Sequence, residues 1–269
     1  MPAVSLSPAL RSQYEQLFNT AVIRPERVND VAALLAQLLK NRGRYEGVQK
    51  AIGVPWFVAA VIHNMESSQN FSAHLHNGDP LTARTVQVPA GRPKTGSPPF
   101  TWEASAADAL QMKGLSASTD WSLAGVMFVL ERYNGWGYRN LHPDVLSPYL
   151  WSGCQHYTSG KFVRDGLWSD TAVSKQIGAA VLLRRWAEQR VVEFVDQPAP
   201  KPDAPPQVVP FAKKQPTDAA VIDAAKTLQT WLNTFNGIFV KVDGFPGEKT
   251  SDAFKQVTGN LLPGDPRAR

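Results

Sequence analysis

The chain has 269 residues, enough for one sizeable hydrophobic core and a small additional module. With 43% hydrophobic and 19% charged residues it is globular in composition, and its single cysteine, Cys154, excludes an intramolecular disulfide framework. The net charge of +5 lies mostly on residues 1–195 and suits attraction of an anionic polymer. Nucleic acid is set aside as that polymer, because no basic helix, zinc-finger spacing or RNA-binding aromatic signature is present.

No apolar run approaches the roughly 18 residues of a membrane helix, so no membrane insertion is expected. Met1–Ser7 lacks the basic and apolar regions of a signal peptide. The expectation is a monomer made in the cytoplasm without a signal peptide, needing no cofactor and no metal.

In chain order, Val31, Leu34, Leu35, Leu38 and Leu39 have helical spacing, with Asn29 or Asp30 able to cap the start. A second helix runs from Val54 through Trp56, Phe57, Ala60, Val61 and Met65, with Pro55 tolerated in its first turn. Glu66 ends that helix. Residues 74–99 change character: Asn77-Gly78 signals a turn and Thr85-Val86-Gln87-Val88 alternates like a strand, which predicts a small β-hairpin lobe. Helical patterns resume at Ser105–Met112, Leu123–Tyr133 and Thr171–Val192, the last with Ile177, Val181, Leu182 and Trp186 on one face. A proline-dense linker follows at 196–215 and reads as an extended spacer. It divides the chain into a domain at 1–195 and a small module at 216–269.

Glu66 has packed apolar residues on one side and the polar stretch His74–Pro80 on the other. Burial raises a carboxyl's pKa and keeps it a proton donor near neutrality, as a glycosidase's general acid requires. Glu66-Ser67, followed downstream by Tyr133-Asn134-Gly135 at a helix-to-turn junction, resembles the lysozyme-like superfamily, in particular soluble lytic transglycosylases and goose-type lysozymes. The resemblance covers roughly residues 50–190. It implies a mainly α lysozyme-like helical domain with a small β-hairpin lobe, Glu66 as catalytic acid, and a Tyr133-Asn134 segment that orients it and lines the sugar groove. Tyr138, which with Tyr133 flanks the Asn134-Gly135 turn, is a further groove candidate, as are Ser67 and Gln87. The Gly-Leu-Met-Gln segment of the transglycosylases is missing, and Thr85-Val86-Gln87-Val88 matches it only at Gln87, which favours hydrolysis. Beyond the linker, the Leu228-Gln229 helix, the Val242-Asp243-Gly244 turn and the Gly247-Glu248-Lys249-Thr250 helix start resemble the peptidoglycan-binding type 1 module, implying a small three-helix bundle. Together these imply a peptidoglycan muramidase cleaving the β-1,4 bond between N-acetylmuramic acid and N-acetylglucosamine. A phage endolysin freed through membrane pores, or an injected effector, fits such a chain.

A glycosidase also stabilises positive charge developing on the sugar. Asp79 is the nearest carboxylate for that task, although Asn-Gly-Asp-Pro is equally a turn. Glu103 is the spare candidate, or else a first-turn residue complementing a helix dipole. A lytic transglycosylase, aided by the substrate's own acetamido group, needs no second carboxylate. Two further chemistries compete. His74-x-His76 with His63 and Asp79 suggests a zinc amidase but completes no ligand set, and Cys154 with His156 suggests a thiol hydrolase at an unfavourable spacing. A wall-binding protein without activity is the remaining alternative.

Overall fold

The computed structural model describes residues 4–164, 166–195 and 205–268. These are mainly helical, with eleven α-helices and one two-stranded antiparallel sheet among the described residues. The helices are α1 (Pro8–Thr20), α2 (Val28–Lys40), α3 (Arg42–Ile52), α4 (Trp56–Ser67), α5 (Trp102–Met112), α6 (Leu123–Asn134), α7 (Gly137–Leu141), α8 (Pro148–Trp151), α9 (Ala179–Glu188), α10 (Ala219–Leu232) and α11 (Glu248–Thr258). Strands β1 (Lys161–Arg164) and β2 (Leu167–Ser169) lie between α8 and α9. By packing, Ile23–Leu183 form one compact unit, and Ser7–Val22 with the chain from Arg184 form another.

In the first unit α4 is the central element. Trp56 through Met65 are all buried, as expected of a helix that is apolar around its whole circumference. Its two buried polar residues are satisfied. The His63 ring nitrogens pair with Tyr45 Oη at 3.1 Å and the Asn70 carbonyl at 3.2 Å, and Asn64 Oδ1 accepts from Gln69 Nε2 at 2.9 Å. Tyr45, Phe71 and Trp102 enclose the His63 ring, and burial lowers its pKa to about 4, leaving it neutral at pH 7. Thr101 caps α5 by accepting from the Ala104 amide at 3.2 Å.

The sheet is not where the sequence places the hairpin lobe. Residues 74–99 contain no strand; their one ladder contact is the isolated bridge Ala73–Pro80. The cause is Asp79, whose Oδ2 takes the amides of Val86 at 2.7 Å and Gln87 at 3.0 Å, donors a strand would need for a partner. The observed hairpin at 161–169 flanks Asp165-Gly166, a dipeptide favoured in tight hairpin turns.

The predicted helix at 171–192 is also shorter, beginning at Ala179. The preceding residues bond elsewhere: Gln176 Nε2 donates to the Met65 carbonyl at 2.9 Å, and the Gly178 amide to the Ser152 carbonyl at 2.8 Å. Ile177, Val181, Leu182 and Trp186 are buried, as their spacing implies.

In the second unit, Phe18 of α1 meets Phe194 and Phe239 edge-on, each with ring centroids 5.4 Å apart. The fully buried Arg184 pairs with Glu188 at 3.2 Å and donates to the Phe18 and Val240 carbonyls at 3.4 and 2.9 Å. Within 216–269 the described residues hold two helices, α10 and α11, not the expected three. Gly259, Pro263, Gly264 and Pro266 break the pattern after α11. A core built from Ala225, Leu228, Leu232, Phe235, Phe254, Val257 and Leu262 packs the two together. Of the linker, residues 196–204 lie outside the described residues, and 205–215 carry no helix or strand.

Gln229 organises this module. Its Nε2 donates to Asp243 Oδ1, the Phe245 carbonyl and Thr250 Oγ1 at 3.0–3.2 Å, and its Oε1 accepts from the Asp243 and Gly244 amides at 3.0 and 2.9 Å. The turn requires glycine at 244: φ is +75°, and a Cβ there would lie 2.6 Å from Ile222.

Candidate active site

Glu66 is the penultimate residue of α4. The chain leaves the helix through Ser68 and Gln69, both in the left-handed region at φ +50° and +63°. Two consecutive non-glycine residues there store strain, on the order of 1 kcal/mol each. Gln69, buried and bonded to Asn64, holds the turn. Because the helix stops here, no further turn covers Glu66.

Tyr149 Oη donates to Glu66 Oε1 at 2.8 Å. Desolvation raises the Glu66 pKa above the usual carboxyl value, opposed by this hydrogen bond and by the Lys113 charge. By surface area Glu66 is exposed, whereas crowding around its carboxyl drives the rise. A carboxyl at the open mouth of a recess accounts for both, and its exposure limits the rise. Tyr149 is pushed well above the ordinary phenol value by burial and by the Glu66 charge, so it stays a donor. Tyr133 is raised by burial and then by Glu66, which places it in the same constellation. Lys113 Nζ lies 5.3 Å from the centre of the Tyr133 ring.

The structure thus brings together Glu66 and Tyr133 of the residues chosen from sequence, and adds Tyr149 and Lys113. Ser67 Oγ donates back to the His63 carbonyl at 3.2 Å. Asn134 ends α6, with Nδ2 3.5 Å from Ser147 Oγ, and Gly135 follows at φ +93° and ψ 162°, a conformation reserved in practice for glycine. Tyr138 packs edge-on against Phe162 and Trp168. Trp151 and Tyr157 are core residues at 1% and 3% exposure.

Asp79 and Gln87 meet through the Asp79 carboxylate and the Gln87 amide. Asp79 also accepts from Asn77 Nδ2 at 3.0 Å, and the Gln87 and Val86 amides hold its pKa below the usual value. Its carboxylate braces the 77–87 loop. Glu103 sits in the first turn of α5 and makes a two-pronged pair with Arg44, at 2.5 and 3.2 Å.

The histidines are engaged by protein groups. His74 bonds Ser105 Oγ at 2.7 Å and the Ala83 carbonyl at 2.8 Å, while His76 bonds Asp108 at 2.7 Å. A zinc ion at His74 would have to displace these partners, whereas the buried His76 Nδ1 has none among the described residues. Cys154 is buried, its thiol pushed up to about 11 by burial, and it donates to the Trp151 carbonyl. That environment opposes a thiolate nucleophile.

No family model, curated protein or solved structure matches this chain. The functional reading therefore rests on the residues themselves.

Proposed function

We propose that this chain is a peptidoglycan hydrolase of the muramidase type, cleaving the β-1,4 bond between N-acetylmuramic acid and N-acetylglucosamine with Glu66 as general acid. The observation that carries the reading is the Glu66 carboxyl, poised at the end of a buried helix and oriented by Tyr149. With its pKa raised, Glu66 retains a proton to deliver to the glycosidic oxygen as the C–O bond breaks, and its anion then accepts a proton from the incoming nucleophile. Tyr149 stabilises that anion between the two steps. The lysozyme-like arrangement of helices, the wall-binding role of residues 216–269 and action on the wall after release from the cytoplasm belong to the same proposal.

A second reading, lytic transglycosylase, is favoured by one observation: Asp79 is already committed to the loop amides. If the sugar's acetamido group assists the reaction, no second carboxylate is required and the product closes to an anhydro ring. Digestion of purified peptidoglycan followed by mass spectrometry tests both. Muropeptides with reducing ends support hydrolysis and anhydro-muropeptides support the second reading. Cleaved stem peptides or no products from active-folded protein would remove the glycosidase proposal.

A further inference from the structure

Lys113 and Arg132 line one recess of about 200 Å³ together with Leu115, Val129 and Tyr133. Lys113 follows the last residue of α5, and Arg132 lies in the last turn of α6, so two helix ends converge on it. Basic residues suit helix C-termini, yet that preference does not by itself direct two cations into one hollow. Neither makes an ion pair with a carboxylate among the described residues. Lys113 lies over the Tyr133 ring, and the Arg132 guanidinium lies 5.9 Å from the centre of the Phe128 ring. The recess adjoins the candidate acid: Tyr133 is one of its walls and feels the Glu66 charge, and the Lys113 charge acts on Glu66.

We infer that this recess is a subsite for an anionic substituent of the glycan, a carboxylate carried on a short arm beside the bond to be cleaved. The assignment rests on the proposed glycosidase reading and extends it from the sugar backbone to the substituent. A hollow of this size holds several waters, each occupying about 30 Å³ in the liquid, and so admits a propionate-sized group. Lys113 and Arg132 supply charge-assisted donors, while Leu115 and Val129 supply an apolar wall for the arm. In peptidoglycan the carboxylate has two sources, the lactyl ether of an unsubstituted muramic acid or the stem peptide attached to it. A neutral chito-oligosaccharide has neither. The site therefore sets a preference for the charged polymer over chitin.

The test uses the full-length Glu66→Gln protein, so that binding is read without turnover. Affinities are measured by calorimetry for three probes: chitotetraose, a tetrasaccharide of alternating N-acetylglucosamine and N-acetylmuramic acid with free lactyl carboxylates, and that tetrasaccharide with each lactyl group amide-linked to a short peptide bearing a free carboxylate. The expected result is tighter binding of at least one charged probe than of chitotetraose, with an advantage that shrinks as salt rises. Which charged probe gains more identifies the source of the carboxylate. Adding Lys113→Gln or Arg132→Gln should reduce the charged-to-neutral affinity ratio by roughly two- to fivefold each, the range of a partly exposed ion pair. Equal affinities for charged and neutral probes, binding of none of them, or a double variant that leaves the ratio unchanged overturns the subsite. Wild-type protein that shows the preference but cleaves no glycan overturns the glycosidase proposal and leaves the subsite standing.

Discussion

Glu66 and Asp79 are two carboxylates in neighbouring segments, and their surroundings push them in opposite directions. Glu66, at the end of α4, receives one hydrogen bond from Tyr149 and is raised by desolvation. Asp79, in the loop that follows, receives two backbone amides and the Asn77 side chain and is lowered. Gln229 in the second unit resembles Asp79, since both of its polar ends are engaged by partners. A polar group that is saturated holds structure, and one left partly open is available for chemistry.

The largest effect expected is on turnover. Glu66→Gln keeps the shape of the side chain and removes its proton, so wall cleavage should fall by about 10² to 10⁴, the usual range of general acid–base catalysis. Its thermal unfolding should barely change, because an exposed position outside the packed core is worth within about 0.5 kcal/mol. Near-normal turnover in a folded variant would erase the distinction between the two carboxylates.

Gln229→Leu inverts that pattern. It strands the buried Gly244 amide and the half-buried Asp243 amide, at a cost of about 2–4 kcal/mol, while the Phe245 carbonyl keeps the Thr250 hydroxyl. Chemical denaturation should show the loss in the second unit, with cleavage of short soluble glycans retained by the first. Full stability would mean that the turn does not depend on this side chain.

Tyr149→Phe removes the one hydrogen bond that Glu66 receives from a side chain among the described residues. The bond favours the ionised carboxyl, so its loss moves the Glu66 pKa further up and shifts the upper limb of the pH–rate profile to higher pH. Turnover should fall about tenfold, the scale of a hydrogen bond to a charged group. A drop in rate with an unmoved pH profile would indicate a merely structural tyrosine.

Asp79→Asn should have the smallest effect on rate, below about tenfold, with its effect concentrated on the loop. Because the Asp79 pKa is lowered on folding, its contribution to stability is present above the unfolded carboxylate value and lost as pH falls through the folded one. The protection of the Val86 and Gln87 amides against hydrogen exchange, taken relative to the intrinsic rate at each pH, should fall on acidification in the parent protein, and Asp79→Asn should abolish that acid dependence. A loss of turnover equal to that of Glu66→Gln would instead make Asp79 the second catalytic carboxylate.

Much of this contrast can be read from the chain, and the unread part has a common cause. The ends of α4 and α6 follow from apolar spacing meeting Glu66-Ser67 and Asn134-Gly135, and the buried Leu228-Gln229 helix follows from its pattern. These are local signals. The Tyr149–Glu66 bond joins residues 83 apart in sequence, and Lys113 approaches Tyr133 from a different helix; no periodicity encodes either meeting. Thr85-Val86-Gln87-Val88 alternates as a strand does, but the Asp79 carboxylate outcompetes a partner strand for its amides. Asp165-Gly166, between Phe162-Val163 and Leu167-Trp168, carries the stronger hairpin signal.

The measurement that bears most directly on the account is a carbon-detected NMR titration of the side-chain carboxyls of Glu66 and Asp79 in the full-length protein, assigned with Glu66→Gln and Asp79→Asn. Glu66 should titrate above the ordinary glutamate value of about 4.3 and Asp79 below the ordinary aspartate value of about 3.9. A Glu66 carboxyl that titrates at or below the ordinary value would contradict the assignment of this residue as the general acid.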